Sequence, residues 1–250
     1  MAICFAPASK PLVLPVVHHL DYQTSYSQAA LALNLGADGV FFISHHGEDA
    51  QLFAPALDLK ETFPDKQVGV NLLKSSALIA LKSVMYPAVG AKHVLDMVWA
   101  DSPGVNSVQV SDRAHEIARL LASPVQEQEF PLPIGKVSQF FASVAFKYQA
   151  PETDPGAAAV NATLLGFIPT TSGPATGRAP DLVKIQIMRE ALDTKCGTHA
   201  PLAIASGMTV ENVKSFLPYA THFLVSTGIS SDDYHFDAAK LDAFVQAVKA

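Results

Sequence analysis

The sequence is short of cysteine, of charged residues and of long apolar runs, and each shortage argues against a class of protein. Of its 250 residues only Cys4 and Cys196 are cysteines, without metal-type spacing, so we expect a reduced, cytoplasmic protein. Charged residues make up 16%, the net charge is −6 and no basic run occurs, which argues against non-specific binding to nucleic acid or to an anionic membrane. No apolar run reaches the roughly 18 residues of a membrane span.

Three local patterns are also missing. The first residues have no charged segment before the apolar ones, so we expect no signal peptide. The first predicted strand ends in H-H-L-D instead of a glycine fingerprint, which weakens the alternative of a doubly wound open sheet. The histidines lack the H-x-x-x-H spacing of a helical metal site, so we assign no metal and no cofactor. A metal held by His and Asp from several strand ends stays open.

What the sequence does contain is a regular alternation of strand and helix patterns. The strands are predicted at residues 11–20, 38–47, 67–73, 93–101, 140–149, 167–171, 201–206 and 221–227. The helices are predicted at residues 25–35, 50–63, 75–89, 112–122, 155–165, 181–192, 209–217 and 238–248, and a surface loop at residues 123–134. Strands separated by helices imply a parallel sheet, and this number in about 250 residues predicts an α/β fold, a single-domain (β/α)8 TIM barrel over residues 1–250.

Chemistry in such barrels sits at the C-terminal strand ends, which are unusually polar here. The catalytic candidates are His18, Asp21, His46, Asp101 and Lys147. Histidine is a natural acid or base near neutral pH. At the second strand either histidine of the pair can point inward, and we favour His46. In the fifth strand the alternation predicts Ser143, Ala145 and Lys147 inward and bulkier Phe146 and Tyr148 outward. The alternatives are capping or solvated roles for the His and Asp residues, and an ion pair for Lys147.

Three loops rich in Gly, Ser and Thr follow the last three predicted strands. They read T-S-G-P-A-T-G-R, S-G-M-T and S-T-G-I. Small hydroxyls and exposed amides at helix starts suit a phosphate, although one such loop alone is more often a turn or cap. With Asn71 added from the third strand, the ligand-binding candidates are Asn71, Thr171, Thr176, Gly177, Arg178, Ser206, Gly207, Ser226, Thr227 and Gly228.

Several of these motifs together resemble one family. They are V-V-H-H-L at residues 16–20, G-V-N-L-L at 69–73, A-F-K-Y at 145–148, T-G-R-A-P-D at 176–181 and S-G-M-T-V-E-N-V at 206–213. The chain resembles the BtpA family, a branch of the ribulose-phosphate-binding barrel superfamily named for photosystem I biogenesis, with other members labelled nucleosidases. The resemblance implies a barrel with a phosphate or phosphosugar site, and it carries over His18, Asn71 and Lys147, with Thr176, Gly177, Ser206 and Gly207. Here S-H-H-G-E-D replaces an acidic or amide segment, and Tyr148 replaces a histidine.

We therefore expect an enzyme that acts on a phosphorylated sugar or nucleotide, with N-glycosidic cleavage or transfer, nucleosidase-like, as the favoured reaction. A His would protonate the leaving base and a carboxylate would stabilise an oxocarbenium-like state. One alternative is a phosphosugar isomerase or aldolase that uses Lys147. Another is a non-catalytic binding or assembly factor. The expected partner is a phosphorylated small molecule, with no nucleic acid and no membrane; a homo-oligomer stays open.

Overall fold

Eight parallel strands close into a barrel in the computed structural model, which describes residues 10–86, 93–123 and 137–250. The strands are β1 Leu12–His18, β2 Gly39–Ile43, β3 Gln67–Asn71, β4 Met97–Ala100, β5 Gln139–Ser143, β6 Ile168–Thr171, β7 Ala203–Ala205 and β8 His222–Val225. Each strand pairs with the next, and β8 pairs with β1 through four registered residue pairs from Leu12↔His222 onward. The predicted TIM barrel is thus confirmed.

In the described part of the chain, an α-helix follows every strand except β7. These helices are α1 Tyr22–Asn34, α2 Phe53–Thr62, α3 Ala77–Met85, α4 Asp112–Ala122, α5 Pro155–Leu164, α6 Leu182–Lys195 and α7 Ala238–Lys249. Three predictions lie wholly or mostly outside the described residues: the end of the helix at residues 75–89, the loop at 123–134, and the absence of a signal peptide. The last of these concerns residues 1–9, which include Cys4. Among the described helices, none is long and apolar enough to cross a membrane.

One predicted helix is wrong. Residues 209–217 form turns and a short 3₁₀ helix, Val213–Ser215. The cause is Asn212, whose side-chain oxygen accepts from the Thr209 amide at 2.9 Å and whose amide group donates to Gly207 O at 2.8 Å. These bonds offer the backbone an alternative to helical pairing, and Pro218 prevents a longer helix beyond. The connection therefore stays compact at the C-terminal end of β7.

Alternation along the strands separates two apolar layers. The outward layer lies between the barrel and the helices, and includes Phe140, Phe167 and Phe223. The inward layer fills the barrel with Leu14, Val16, Phe41, Ile43, Met97, Trp99, Phe141, Phe146, Ile168, Ala203, Ala205 and Leu224. Three of its rings pack edge to face, with centroid distances of 5.1 Å for Phe41–Phe141 and 5.9 Å for Phe41–Trp99. This interior is a filled core and not a channel.

Gly69 gives the Phe41 ring its space. A Cβ added at Gly69 would lie 2.7 Å from Phe41 Cε1, 2.6 Å from Met97 Cβ and 2.8 Å from Met97 O. Two of these neighbours belong to Met97 of strand β4. A movement of the Phe41 side chain alone therefore cannot make room for the added Cβ. A larger side chain here overpacks the barrel centre.

We predict that Gly69→Ala lowers the free energy of unfolding by about 1–3 kcal/mol, the usual range for overpacking. Denaturant unfolding measures this change. Phe41→Leu removes the ring, so its cost should be smaller in the Gly69→Ala background than in the wild type. Additive costs of the two substitutions would show that Gly69 and Phe41 do not compete for space.

Candidate active site

A small cavity opens at the C-terminal ends of the strands, directly above the aromatic interior. Its volume is 70 Å³, and we call it the mouth. The lining residues are Val16, His18, Ile43, His45, Trp99, Lys147, Thr176, Ala205, Ser206, Leu224, Ser226 and Thr227. The residues come from strands on all sides of the barrel, so closure of the sheet assembles this site. Its floor is apolar and its rim carries titratable and hydroxyl side chains.

Two imidazoles meet on one side of the mouth. His18 is the last inward residue of β1, and its ring lies edge to face with that of His45, with a centroid distance of 4.8 Å. Burial is the main cause that lowers the pKa of His18 to about 4, and the neighbouring His45 lowers it further. Burial, followed by the charge of Lys147, also lowers the pKa of His45. Near neutral pH His18 is therefore an uncharged imidazole that can accept a proton.

The inward histidine after β2 is His45, and the prediction of His46 is wrong. Phe41 and Ile43 point inward, so alternation continues to His45. His46 points away from the mouth, and its Nε2 lies 3.1 Å from Tyr234 Oη. His19 is also directed outward, where it is buried and contacts Ser25 Oγ at 2.8 Å.

Lys147 reaches the mouth, but not along a continuing strand. β5 ends at Ser143, and Ala145 and Tyr148 adopt left-handed φ values of 48° and 64°. As a result Phe146 turns into the barrel interior and Tyr148 is 81% exposed, opposite to the predicted outward packing of both. The ammonium of Lys147 donates to Thr176 Oγ1 at 3.1 Å, and burial lowers its pKa. Lys147 is thus a partly desolvated amine.

Asp101 completes the titratable group from the loop after β4. The inward side chain of Asn71 donates from Nδ2 to Asp101 Oδ1 at 3.0 Å. Burial raises the pKa of Asp101, against the opposing effects of Asn71, Lys147 and His45. Burial therefore moves the pKa of this acid up and that of Lys147 down. Such opposed shifts in one cleft are typical of groups that exchange protons.

Two residues that sequence reasoning missed hold the loops of Asp101 and Lys147 together. Gln149 donates from Nε2 to Asp101 O at 2.7 Å and to Ser143 O at 2.9 Å, and its Oε1 accepts from the Phe146 amide at 3.0 Å. Below them Trp99 donates from its indole nitrogen to Ser143 Oγ at 2.9 Å. No local sequence pattern predicts that Gln149 forms this bridge, because Asp101 lies on a separate loop.

Lys184 on α6 was also missed, and it fixes the turn that presents Lys147. Its ammonium donates to Ala145 O at 2.5 Å and to Ser172 O at 2.8 Å. Ala145 O also accepts from Thr171 Oγ1, and Ser172 Oγ accepts from the Lys147 amide at 2.8 Å. Burial lowers the pKa of Lys184 to about 8. Lys184 on α6 thus holds the strained turn after β5 in place. Strained backbone persists only where the surrounding structure fixes it in this way.

The hydroxyl side chains proposed for phosphate lie at the mouth, whereas the glycines serve the loops. Ser206 adopts a left-handed φ of 83°, and its Oγ accepts from the Gly177 amide at 3.0 Å. A Cβ at Gly207 would lie 2.1 Å from Ala179 N, and one at Gly228 2.0 Å from Met208 O. Both glycines are therefore required for close loop packing, and their Cα atoms face protein, not the space expected for a ligand.

Three further candidates lie away from the mouth. Asp21 caps α1, where Oδ1 accepts from the Thr24 amide at 2.7 Å and this bond lowers its pKa. Thr171 points outward because it is registered with Ile204 of the outward layer. Arg178 is exposed on the loop after β6. The catalytic expectation for Asp21 and the ligand-binding expectation for Thr171 are corrected to structural roles.

The side chains of the mouth offer acid–base chemistry to a ligand. Each of the two imidazoles and the carboxyl group of Asp101 can accept a proton or donate one, depending on its protonation state. Within the described ranges, no group of three or more His, Cys, Asp or Glu side chains is placed to hold a metal ion.

Comparison with known proteins places the fold. A scan against protein-family models and a search of curated proteins gave no match. Among solved structures, phosphoribosyl anthranilate isomerase from Thermus thermophilus is 14% identical, with a TM-score of 0.59 over 95% of this chain and 98% of that one. (S)-3-O-geranylgeranylglyceryl phosphate synthase from Thermoplasma acidophilum is 14% identical, with a TM-score of 0.63 over 96% and 94%. 3-Dehydroquinate dehydratase from Geobacillus kaustophilus is 10% identical, with a TM-score of 0.63 over 99% and 97%.

These likenesses establish the TIM-barrel fold. The first two structures are, by name, an isomerase of phosphoribosyl anthranilate and a synthase of geranylgeranylglyceryl phosphate. Membership of the BtpA family stays a prediction.

We predict that Lys184→Met lowers the free energy of unfolding by about 1–3 kcal/mol, since it removes the part-buried donor to Ser172 O. Lys214→Met, at an exposed lysine, is the matched control and should leave the unfolding midpoint unchanged. Denaturant unfolding of both variants checks the difference. Equal midpoints for the two variants would contradict the role assigned to Lys184.

Proposed function

We propose that the chain is an enzyme of the phosphosugar isomerase or aldolase class, in which Lys147 forms an iminium with the carbonyl group of its substrate. The observation that carries the proposal is the position of the Lys147 amine. It lies in the mouth together with His45, it feels the charge of Asp101, and burial lowers its pKa. A lowered pKa increases the fraction of neutral amine, which is the nucleophile in such reactions.

The neighbours of Lys147 could carry the protons of this step. The amine nitrogen attacks the carbonyl carbon, and the carbonyl oxygen leaves as water with one proton from the amine and one from Asp101. The raised pKa of Asp101 favours the protonated acid that this donation needs. The resulting iminium draws electrons from the adjacent carbon. A neutral imidazole, His45 or His18, can then remove the proton of that carbon, which gives an enamine and leads to isomerisation. Alternatively the imidazole removes the proton of the hydroxyl group on the next carbon, and the carbon–carbon bond breaks to give an aldehyde and the enamine.

The phosphate of the substrate would lie toward the loops after β6, β7 and β8. Thr176, Ser206 and Thr227 bring hydroxyl groups to that part of the mouth. The proposal keeps Ser206, Ser226 and Thr227 from the predicted phosphate loops and no longer uses the Cα atoms of Gly207 and Gly228.

The comparisons favour this class over N-glycosidic cleavage. The names of two structural neighbours, an isomerase and a phosphate synthase, fit the handling of phosphorylated substrates, and they give the nucleosidase expectation no support. Two residues assigned to that reaction, Asp21 and His46, also lie outside the mouth. A non-catalytic protein with the same site would bind the ligand without forming the iminium, so chemical trapping of the iminium separates the two.

We predict that borohydride traps a covalent adduct on Lys147 when the protein is incubated with dihydroxyacetone phosphate or ribulose 5-phosphate. Reduction of the iminium gives a stable secondary amine, which peptide mass spectrometry assigns to a residue. The adduct should be lost in Lys147→Met. It should persist in Lys74→Met, which removes an exposed lysine of the loop after β3.

Three results would count against the proposal. Trapping on Lys74 to the same extent as on Lys147 would show unspecific amine chemistry. Binding of both ligands without any adduct would favour the non-catalytic protein. A large fall in melting temperature for Lys147→Met, with the adduct absent, would point to a structural role of the ammonium.

A further inference from the structure

A second cleft leads away from the mouth past His18. Its volume is 240 Å³, compared with 70 Å³ for the mouth itself. The lining residues are His18, Ser226, Thr227, Ser230, Ser231, Asp232 and Asp233. The first three of these also line the mouth, so the two spaces adjoin at His18, whose Nε2 lies 3.3 Å from Ser226 Oγ. The cleft has room for several water molecules and therefore for a hydroxylated carbon chain.

The two serine hydroxyls of this cleft that do not also line the mouth, those of Ser230 and Ser231, have already used their protons. Ser230 Oγ donates to Ser226 O at 2.9 Å, and Ser231 Oγ donates to His235 O at 3.2 Å. A hydroxyl group has one proton and two lone pairs, so both side chains can offer only lone pairs to a ligand. The wall that they form therefore accepts hydrogen bonds and does not donate them.

The carboxylates add to the same character. Asp232 accepts from the amides of Tyr234 and His235 at 2.9 Å, and these bonds help to lower its pKa, so it stays ionised. Asp233 lines the same cleft as His18, and it raises the pKa of His18 through a hydrogen bond to its backbone and through its charge, and that of His45 through its charge. An ionised carboxylate only accepts hydrogen bonds. The cleft thus repels a phosphate and favours a group rich in donors.

We propose that this space, the acceptor cleft, binds the hydroxylated end of the substrate, away from its phosphate. The inference rests on the proposed function and narrows the substrate class to phosphorylated polyhydroxy carbonyl compounds long enough to pass His18. The carbonyl group lies at Lys147, the phosphate lies toward Thr176 and Ser206, and hydroxyl groups donate to Ser231 and Asp233. The phosphate end of the ligand would thus meet hydrogen-bond donors, and the hydroxylated end would meet hydrogen-bond acceptors.

The test uses ligands without a carbonyl group, so it does not depend on the chemistry of Lys147. Calorimetry compares ribitol 5-phosphate, which has a long hydroxylated chain, with glycerol 3-phosphate, which has a short one. We expect ribitol 5-phosphate to bind the wild type about tenfold more tightly or better, as hydrogen bonds to a charged group allow. The double variant Ser231→Ala/Asp233→Ala should lose that difference and keep its affinity for glycerol 3-phosphate.

The matched control is Asp242→Ala, which removes an exposed carboxylate from α7 and should keep the wild-type preference. Both residues of the double variant are exposed loop residues, so the fold should survive, and circular dichroism checks it. Equal affinities in the wild type, an unchanged preference in the double variant, or no binding of either ligand would overturn the acceptor cleft. If the double variant bound both ligands more tightly, Asp233 would only repel their phosphate groups, and the acceptor cleft would be overturned. If 1-amino-1-deoxyribitol 5-phosphate, which carries an ammonium group and no carbonyl group, bound far better than ribitol 5-phosphate, the cleft would be assigned to an ammonium group instead.

If borohydride trapping fails while the preference for ribitol 5-phosphate depends on Ser231 and Asp233, the iminium mechanism is wrong and the cleft stands. If trapping succeeds but the protein shows no preference for ribitol 5-phosphate, the iminium mechanism is supported and the proposed role of the acceptor cleft is wrong.

Discussion

Closure of the eight-stranded sheet is the constraint on which the rest of the structure depends. A closed barrel has to fill its own interior, and here aromatic rings do so, with Phe41 against Phe141 and Trp99 and with Gly69 leaving the space. Closure also brings the ends of β1, β2, β4 and β5 around one point. The polar side chains that come after these strands consequently sit on an apolar floor, in a small space from which much of the water is displaced.

The electrostatics of the mouth result from that floor. Burial is the first cause of the pKa shifts of His18, His45, Asp101 and Lys147, and it always disfavours the charged form. The pKa of the acid rises and that of the amine falls, which makes proton transfer between them easier than in water. Three left-handed residues, Ala145, Tyr148 and Ser206, present the side chains at this rim. Strain at these positions is tolerated because Lys184, Thr171 and Gly177 hold the turns.

The sequence predicts the barrel well because period-two and helical patterns are local, and eight repeats leave few architectures open. It also locates His18, Asn71, Asp101 and Lys147 at one rim, because strand order and strand ends suffice for that. The prediction from sequence fails where a single residue decides whether a side chain points into or out of the barrel. The phase of alternation decided between His45 and His46, and a left-handed Ala145 turned Phe146 inward. Gln149 and Lys184 could not be predicted, since their partners come from other loops. The glycines were predicted as ligand contacts because the sequence does not show that Gly207 faces Ala179.

The central claim is that the barrel mouth desolvates Lys147 and so makes it reactive. Carbon-detected NMR titration of the lysine side chains tests this most directly, with the Lys147 signal assigned by its loss in Lys147→Met. The account predicts that Lys147 titrates below 10.5, the ordinary value for lysine, because burial outweighs the opposing effects of Tyr148 and Asp101. A titration midpoint at or above that value would contradict it, since the amine would then be an ordinary surface cation.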